Sequence, residues 1–252
     1  EFTPASLMQS VRDARHMPNE PVPPICILEF DGDLTDWLVQ QGFAKSFPSW
    51  PCFHTAMYSI QTGGTQCGIV ARTIGGPYAV LIAEQLFAAG AKLVVGLTSA
   101  GRVAPSLPLP CIVVASAAVR DEGTSYHYLP PAEVVQCPIP VVDLLLAELQ
   151  SVGAALEGLV WTTDAPYRET AAELQRWATR GVVAVEMQAA SLFAFATARG
   201  ANVAVVSMVS NAVDHVGDQF KKGTSEDGFR VIEAIVRAGR QFLSRLGITG
   251  SE

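Results

Sequence analysis

Positive charge is scarce in this chain. Its 252 residues hold 17 Lys+Arg against 24 Asp+Glu, a formal net charge of −7, with a sequence pI near 5.1. Nucleic-acid binding is thereby excluded, because a phosphate backbone demands concentrated Lys and Arg, and no polybasic run offers itself to an anionic membrane surface. Charge of either sign is low at 16%, whereas apolar residues reach 49%. That balance excludes disorder, which needs the opposite. Cysteine is sparse and unpatterned: Cys26, Cys52, Cys67, Cys111 and Cys137 form no C-x-x-C pair. Buried thiols in a reducing compartment are expected, rather than disulfides. Long hydrophobic runs are missing too, since the stretch Val103–Val119 is broken by Pro105, Pro108 and Pro110. The first twenty residues are polar and include Arg12, Asp13 and Arg15, unlike a signal peptide; a cytoplasmic location is the resulting expectation. No cluster of His, Cys, Asp or Glu has the spacing of a zinc site. No strand runs into G-x-G-x-x-G with an acidic residue ~20 positions on, and no glycine turn is followed by a Walker lysine. Neither a metal nor an organic cofactor is therefore expected, and a Rossmann-type oxidoreductase is set aside.

What the chain does have is alternation. Strand-length apolar runs occur at Ile25–Glu29, Gly68–Arg72, Lys92–Leu97, Cys111–Val119, Gly158–Thr162, Val182–Val185 and Val203–Val209. Between them lie helical patterns at Tyr78–Ala89 (closed by Gly90), Val141–Val152, Thr170–Arg180, Met187–Ala198 and Gly228–Leu246. Strands alternating with helices predict an α/β fold with a largely parallel, buried sheet. No repeat or linker interrupts the pattern, so residues 25–247 read as a single domain, preceded by an N-terminal extension (1–24) and followed by a short tail (248–252).

Several of these strands empty into polar clusters, where α/β sheets bind ligands. Thr73-Ile-Gly-Gly-Pro77 lets backbone N–H groups approach an anion at a helix start. Arg120–Pro131 packs Tyr126, His127 and Tyr128 into three consecutive positions, costly to expose without a ligand or partner. Trp161–Thr170 repeats the theme with Asp164, Tyr167 and Arg168. Glu186 lies between a strand and an apolar helix, and a sequestered carboxylate needs a partner or a task; paired sugar hydroxyls would supply one. In Val209–His215, Asn211 can grip a base, and Asp214 or His215 can move protons.

Taken in order, Gly75-Gly76-Pro77, Thr98-Ser-Ala-Gly101, Asp121–Tyr128, Thr163–Thr170, Val185-Glu-Met187 and Ser210-Asn211 resemble the nucleoside phosphorylase family. That family includes uridine phosphorylase, hexameric purine nucleoside phosphorylase and methylthioadenosine nucleosidase. The resemblance runs from Ile25 to Leu246. It implies a twisted, mixed β-sheet flanked by helices, a small-molecule nucleoside as substrate, and cleavage of its N-glycosidic bond through a ribosyl cation. It also implies a homo-oligomer (dimer, trimer or hexamer) with active sites near subunit interfaces, and phosphate as the only possible co-substrate. By the same resemblance Met187 packs beneath the ribose, and Glu186 and Gln188 reach its hydroxyls. Tyr126, His127, Tyr128, Tyr167 and Arg168 line the base and 5′ region. Gly32, Gly75, Gly76, Ser99 and His54 border the nucleophile, and Asn211 stands where many relatives carry a base-protonating aspartate.

The departures set the expected chemistry. Where the family places phosphate-binding arginines, this chain has Asp36, the Phe53-His54 pair and Gly96. A dianion is poorly neutralised without them and Asp36 repels it, although Arg72, Arg102 or Arg120 could compensate. Hydrolysis is therefore favoured over phosphorolysis, with water activated by Asp33, Asp31 or Glu29. Gln188 replaces a glutamate, through natural tuning, a 2′-deoxy sugar or an engineered change, and Asn211 disfavours adenosine-type substrates. The rival reading is a weakened relative that binds nucleosides without turning them over.

Overall fold

The computed structural model describes residues 2–212 and 223–248. The chain opens with helix α1 (Pro4–Arg15), capped by Thr3, whose hydroxyl accepts from the Ser6 N–H. There follow β1 (Ile25–Glu29), α2 (Asp33–Gln40), β2 (Ala44–Ser46), β3 (Met57–Thr62), β4 (Thr65–Ala71) and α3 (Gly76–Ala88). The middle of the chain forms β5 (Leu93–Arg102), β6 (Cys111–Asp121), β7 (Val134–Gln136), α4 (Val142–Leu149) and β8 (Ala155–Thr163). The last third forms α5 (Ala171–Thr179), β9 (Val182–Glu186), α6 (Ala189–Arg199), β10 (Val203–Ala212) and α7 (Ser225–Arg245). Single 3-10 turns lie at Thr124–His127 and Pro166–Arg168.

All the strands join one sheet in the order β10-β6-β8-β9-β5-β1-β4-β3-β2, with β7 on β6 and an extra pairing of β10 with β5. That extra pairing closes β5, β10, β6, β8 and β9 into a ring, while β1, β4, β3 and β2 extend outward from β5. The sheet is mixed rather than largely parallel. Parallel pairs join β1 to β4 and β5, β5 to β10, and β8 to β6 and β9. Antiparallel pairs join β10 to β6, β2 to β3, β3 to β4, β5 to β9, and β6 to β7. A buried strand reads as a continuous apolar run whichever way its neighbour points, so periodicity does not report direction.

Each central strand feeds two cores by the alternation of its side chains. Cys26 and Leu28 of β1 enter one core with α3 and α6; Ile25 and Ile27 enter the other with α4 and α7. The expected strands and helices all form, with shifted ends. Strands β5, β6 and β10 run two or more residues past the ends of their apolar runs: β5 continues through Thr98–Arg102, β6 to Asp121 and β10 to Ala212. The pairing of β5 with both β10 and β9 requires that extension, since Gly101 faces Asn211 on one side and Val185 on the other. Helices α1 and α2 and strands β2, β3 and β7 have no counterpart in the apolar periodicity. In α1 only Met8, Val11 and Arg12 are buried, too few for a repeating signal. All five cysteines are free, four of them buried, and burial pushes the Cys26 thiol up to about 12. Among the described residues no helix is long and apolar enough to cross a membrane.

Candidate active site

Glycine and acid shape the exit from β1. Gly32 adopts φ +93°, and a Cβ there would lie 2.5 Å from Arg72 Cγ, so only glycine fits this turn. Helix α2 has no side-chain cap of its own at Gly32. Glu29 supplies one from the strand: its carboxylate accepts from the Gly32 N–H (2.8 Å), the Thr35 N–H (3.1 Å) and the Thr35 hydroxyl (2.9 Å). Burial raises the Glu29 carboxyl against these bonds, and the neighbouring Asp31 adds to the rise. With Glu29 so engaged, Asp31 reaches across to β5 and accepts both the N–H and the hydroxyl of Ser99, each at 3.1 Å. The carboxylate thus occupies both of the donors that Ser99 presents.

Asp31, Asp33, Ser99 and Ser210 line one wall of a cavity of about 300 Å3, and Thr224 and Asp227 at the start of α7 face them. Cys111, Ile112, Val152, Met208 and Val231 form an apolar remainder. The described lining carries four carboxylates, Glu29, Asp31, Asp33 and Asp227, and no Lys or Arg. One oxygen each of Glu29, Asp31 and Asp33 lies within 4.8 Å of the others, and the contacts just described engage Glu29 and Asp31 as hydrogen-bond acceptors.

The arginines do not enter this cavity. Arg72 crosses over Gly32 and pairs with Asp36. Arg120 is buried, bonding Ser125 Oγ and the Leu129 and Pro130 carbonyls, with Tyr126 stacked on its guanidinium at 4.3 Å. Arg102 reaches the Leu107 carbonyl at 3.4 Å. At Gly96 a Cβ would sit 2.9 Å from the Phe30 ring, so that position faces packed core and not the cavity.

A second group of candidates surrounds the junction of β9 and α6, a few residues from Gly101. Glu186 is buried, and its Oε2 accepts from the Gln188 N–H (2.7 Å) and the Ala189 N–H (2.9 Å). Its Oε1 accepts from the Thr162 hydroxyl of β8 (2.5 Å), which in turn accepts from the Ala190 N–H (2.9 Å). Glu186 is therefore a helix cap, not an open acceptor; burial nonetheless lifts its carboxyl to about 7. Gln188 is buried, with Oε1 on the Met187 N–H at 3.3 Å, and Met187 is half-buried. Asn211 lies in β10 opposite Gly101. Asp214 and His215 lie outside the described residues.

In the aromatic loops two of the rings are engaged by hydrogen bonds, and the other two stand exposed. The Tyr126 hydroxyl donates to the Arg120 carbonyl and Tyr128 to Glu84 at 3.0 Å each, and His127 is exposed. Of the three consecutive rings, only Tyr126 stacks on the buried Arg120. Tyr167 and Arg168 stand in an exposed turn, Tyr167 fully so. His54 is exposed beside Phe53. Gly75 takes φ +91° in open space, whereas Gly76 is pressed to Ser191, where a Cβ would come within 2.2 Å of Oγ. Two participants escaped the sequence reading, Thr162 and Glu122. The Glu122 carboxylate accepts from Ser191 Oγ at 2.5 Å and from the Ser125 N–H at 2.9 Å. A carboxylate next to Gly123 after a buried strand was the available signal.

The family profile of the phosphorylase superfamily matches residues 24–243. A guanosine phosphorylase of Halorubrum lacusprofundi is 30% identical over 154 residues, 58% of this chain and 61% of that protein. A uridine phosphorylase of Thermococcus kodakarensis is 30% identical over 115 residues, 45% of this chain and 40% of that protein. A uridine phosphorylase of Treponema pallidum is 28% identical over 195 residues, 71% of this chain and 72% of that protein. The chain thus spans about three-fifths or less of the first two. With a mixed sheet flanked by helices and a profile match over nearly its whole length, the chain belongs to the phosphorylase superfamily.

Proposed function

We propose that this protein cleaves the N-glycosidic bond of a nucleoside, and that water is the attacking group. The observation that carries the choice of water is the Asp31 carboxylate on the N–H and hydroxyl of Ser99. An anion's oxygens and a fixed carboxylate compete for the same donors, and close carboxylates repel a dianion. A carboxylate so placed instead accepts a proton from water as its oxygen attacks C1′. The C1′–N bond breaks and the bond pair leaves with the base, which takes up a proton; the products are free base and sugar.

Phosphorolysis is the second reading, favoured by relatives named as guanosine and uridine phosphorylases. In it Asp31 yields Ser99 to phosphate and the product is a sugar 1-phosphate. Purine and pyrimidine nucleosides, ribo and 2′-deoxy, incubated with and without phosphate and assayed for free base, separate the two. Base release that is equal in both arms supports water. Release that requires phosphate overturns it in favour of phosphorolysis, and binding without release in either arm identifies a nucleoside-binding protein. The homo-oligomer belongs to the same proposal and is read by sedimentation of the intact chain.

A further inference from the structure

The cavity of about 300 Å3 is divided by chemistry. Asp31 and Ser99 belong to its polar wall, whereas its apolar end carries no charge. In that end Met208 of β10 stands opposite Ile112 of β6 in an antiparallel pair, and Cys111, Val152 and Val231 complete the lining. Among these described residues the only polar side-chain atom is the Cys111 thiol, which donates to the Ile112 carbonyl (3.6 Å). Backbone donors are engaged as well. The Ile112 N–H donates to the Ala154 carbonyl (2.8 Å), and the Val152 and Gly153 N–H groups both donate to the Leu149 carbonyl (2.9 and 3.1 Å). The rim of this end is open: Pro110, Gly153 and Ala154 are exposed, and a Cβ at Gly153 would meet nothing within 4 Å.

We propose that this apolar end holds the leaving base by its faces alone, so that the protein accepts purine and pyrimidine nucleosides alike and selects on the sugar. The inference rests on the reading of this cavity as the site of nucleoside cleavage, but base binding is measurable without turnover. A nucleoside matches the division of the cavity. Its sugar is a polyol, and its base is a flat ring with a π-face on either side and a hydrogen-bonding pattern only at the edge. With Asp31 delivering water to C1′, the base leaves on the side away from the water, into the apolar remainder. An end without free side-chain donors grips the faces and leaves the edge unread. Hydrophobic contact separates similar ligands by only ~10–200-fold, whereas a site built to hydrogen-bond an edge separates them by ~10,000-fold or more. Met208 adds tolerance, because an unbranched thioether repacks against rings of different shape. The open rim at Gly153 gives a larger base room to project.

Adenine and hypoxanthine are the sharpest probes, since they are alike in size but exchange a donor for an acceptor at the edge. Calorimetry of adenine, hypoxanthine, uracil and thymine on the intact protein should give affinities that differ by less than ~200-fold, with the negative heat-capacity change of apolar burial. The kcat/KM values for adenosine and inosine should differ by no more than the same factor. Gly153→Phe puts a ring into open space at a position whose φ lies outside the left-handed region. It should narrow the rim and lower the affinity for purines relative to pyrimidines by ~10-fold or more. A gap above ~200-fold between adenine and hypoxanthine overturns the proposal, including the bias against adenosine-type bases expected from Asn211. So does an unchanged purine-to-pyrimidine ratio in Gly153→Phe, or failure of every free base to bind. If the bases bind with this low discrimination and no nucleoside is cleaved, the cleavage reading fails and the base site stands. If nucleosides are cleaved and the bases are sharply discriminated, the cleavage reading stands and the base site fails.

Discussion

The exits of β1 and β9 are built on one plan and differ in where they find their threonine. Each strand ends in a glutamate whose carboxylate turns onto the following helix: Glu29 onto Gly32 and Thr35, Glu186 onto Gln188 and Ala189. In both, the residue two positions on is a candidate for the chemistry, Asp31 in the first and Gln188 in the second. At β1 the hydroxyl partner, Thr35, belongs to the capped helix itself. At β9 it is Thr162, on a neighbouring strand. The first junction is therefore a local unit, closed within seven residues, whereas the second depends on the pairing of β9 with β8, where Thr162 stands opposite Glu186. The middle residue differs as well: Asp31 is spent on Ser99 of another strand, whereas the Gln188 side chain folds back on its own backbone. Under the proposed function the β1 exit handles the attacking group, whereas the β9 exit is a closed helix cap.

The largest test of that division is Asp31→Asn. The amide still accepts one bond from Ser99 but cannot take up a proton, so base release should fall ~100-fold or more with little change in KM. Steady-state kinetics across the pH range provide the check. A comparable fall from Gln188→Ala at unchanged KM would reverse the assignment of roles to the two exits.

Next comes Glu186→Gln, read through stability. Burial holds the folded carboxyl at about 7, against about 4.5 for an exposed glutamate. A group whose folded pKa is raised contributes stability that is complete below the unfolded pKa and is lost as pH climbs through the folded one. The wild type should therefore lose up to an order of 3 kcal/mol between about pH 4.5 and 7 from this residue. Glu186→Gln lacks that loss, so its stability relative to wild type should improve from pH 5 to pH 8 in denaturant titrations. A difference that is flat with pH would mean that Glu186 does not titrate differently on folding. Above neutrality the buried Glu186 charge thus costs stability.

Much of this architecture was legible in the sequence because it depends on apolar runs, and those decide burial whatever the topology. The seven expected strands and five expected helices have counterparts in the fold. Direction and closure were not legible. The pairing of Gly101 with both Asn211 and Val185 joins residues more than eighty positions apart, and no local pattern records it. The same limit governs the site. Glu186 was recognisable as a sequestered carboxylate, but its partner Thr162 lies on another strand. The Tyr126–Tyr128 run shows the same limit: Tyr126 stacks on Arg120 and Tyr128 bonds Glu84 of α3, contacts that the run of rings does not itself record.

The smallest expected effect concerns the rim of the β1 exit, where Arg72 and Asp36 pair above Gly32. Both side chains are about half exposed, 57% and 50%, so solvent screens the pair and Asp36→Asn should change stability by no more than ~1 kcal/mol. Its value lies in what it does to the anion question. The Arg72 guanidinium is held by Asp36, which by the resemblance stands where the family carries a phosphate arginine, and Asp36→Asn frees a positive charge over Gly32. If water is the attacking group, Asp36→Asn should leave base release insensitive to phosphate, within a factor of about two, because Asp31 still occupies Ser99. A phosphate dependence that appears only in Asp36→Asn would show that the β1 exit is an anion site closed by one surface carboxylate. The difference between the two exits would then lie in a single exposed side chain and not in the plan of the loop.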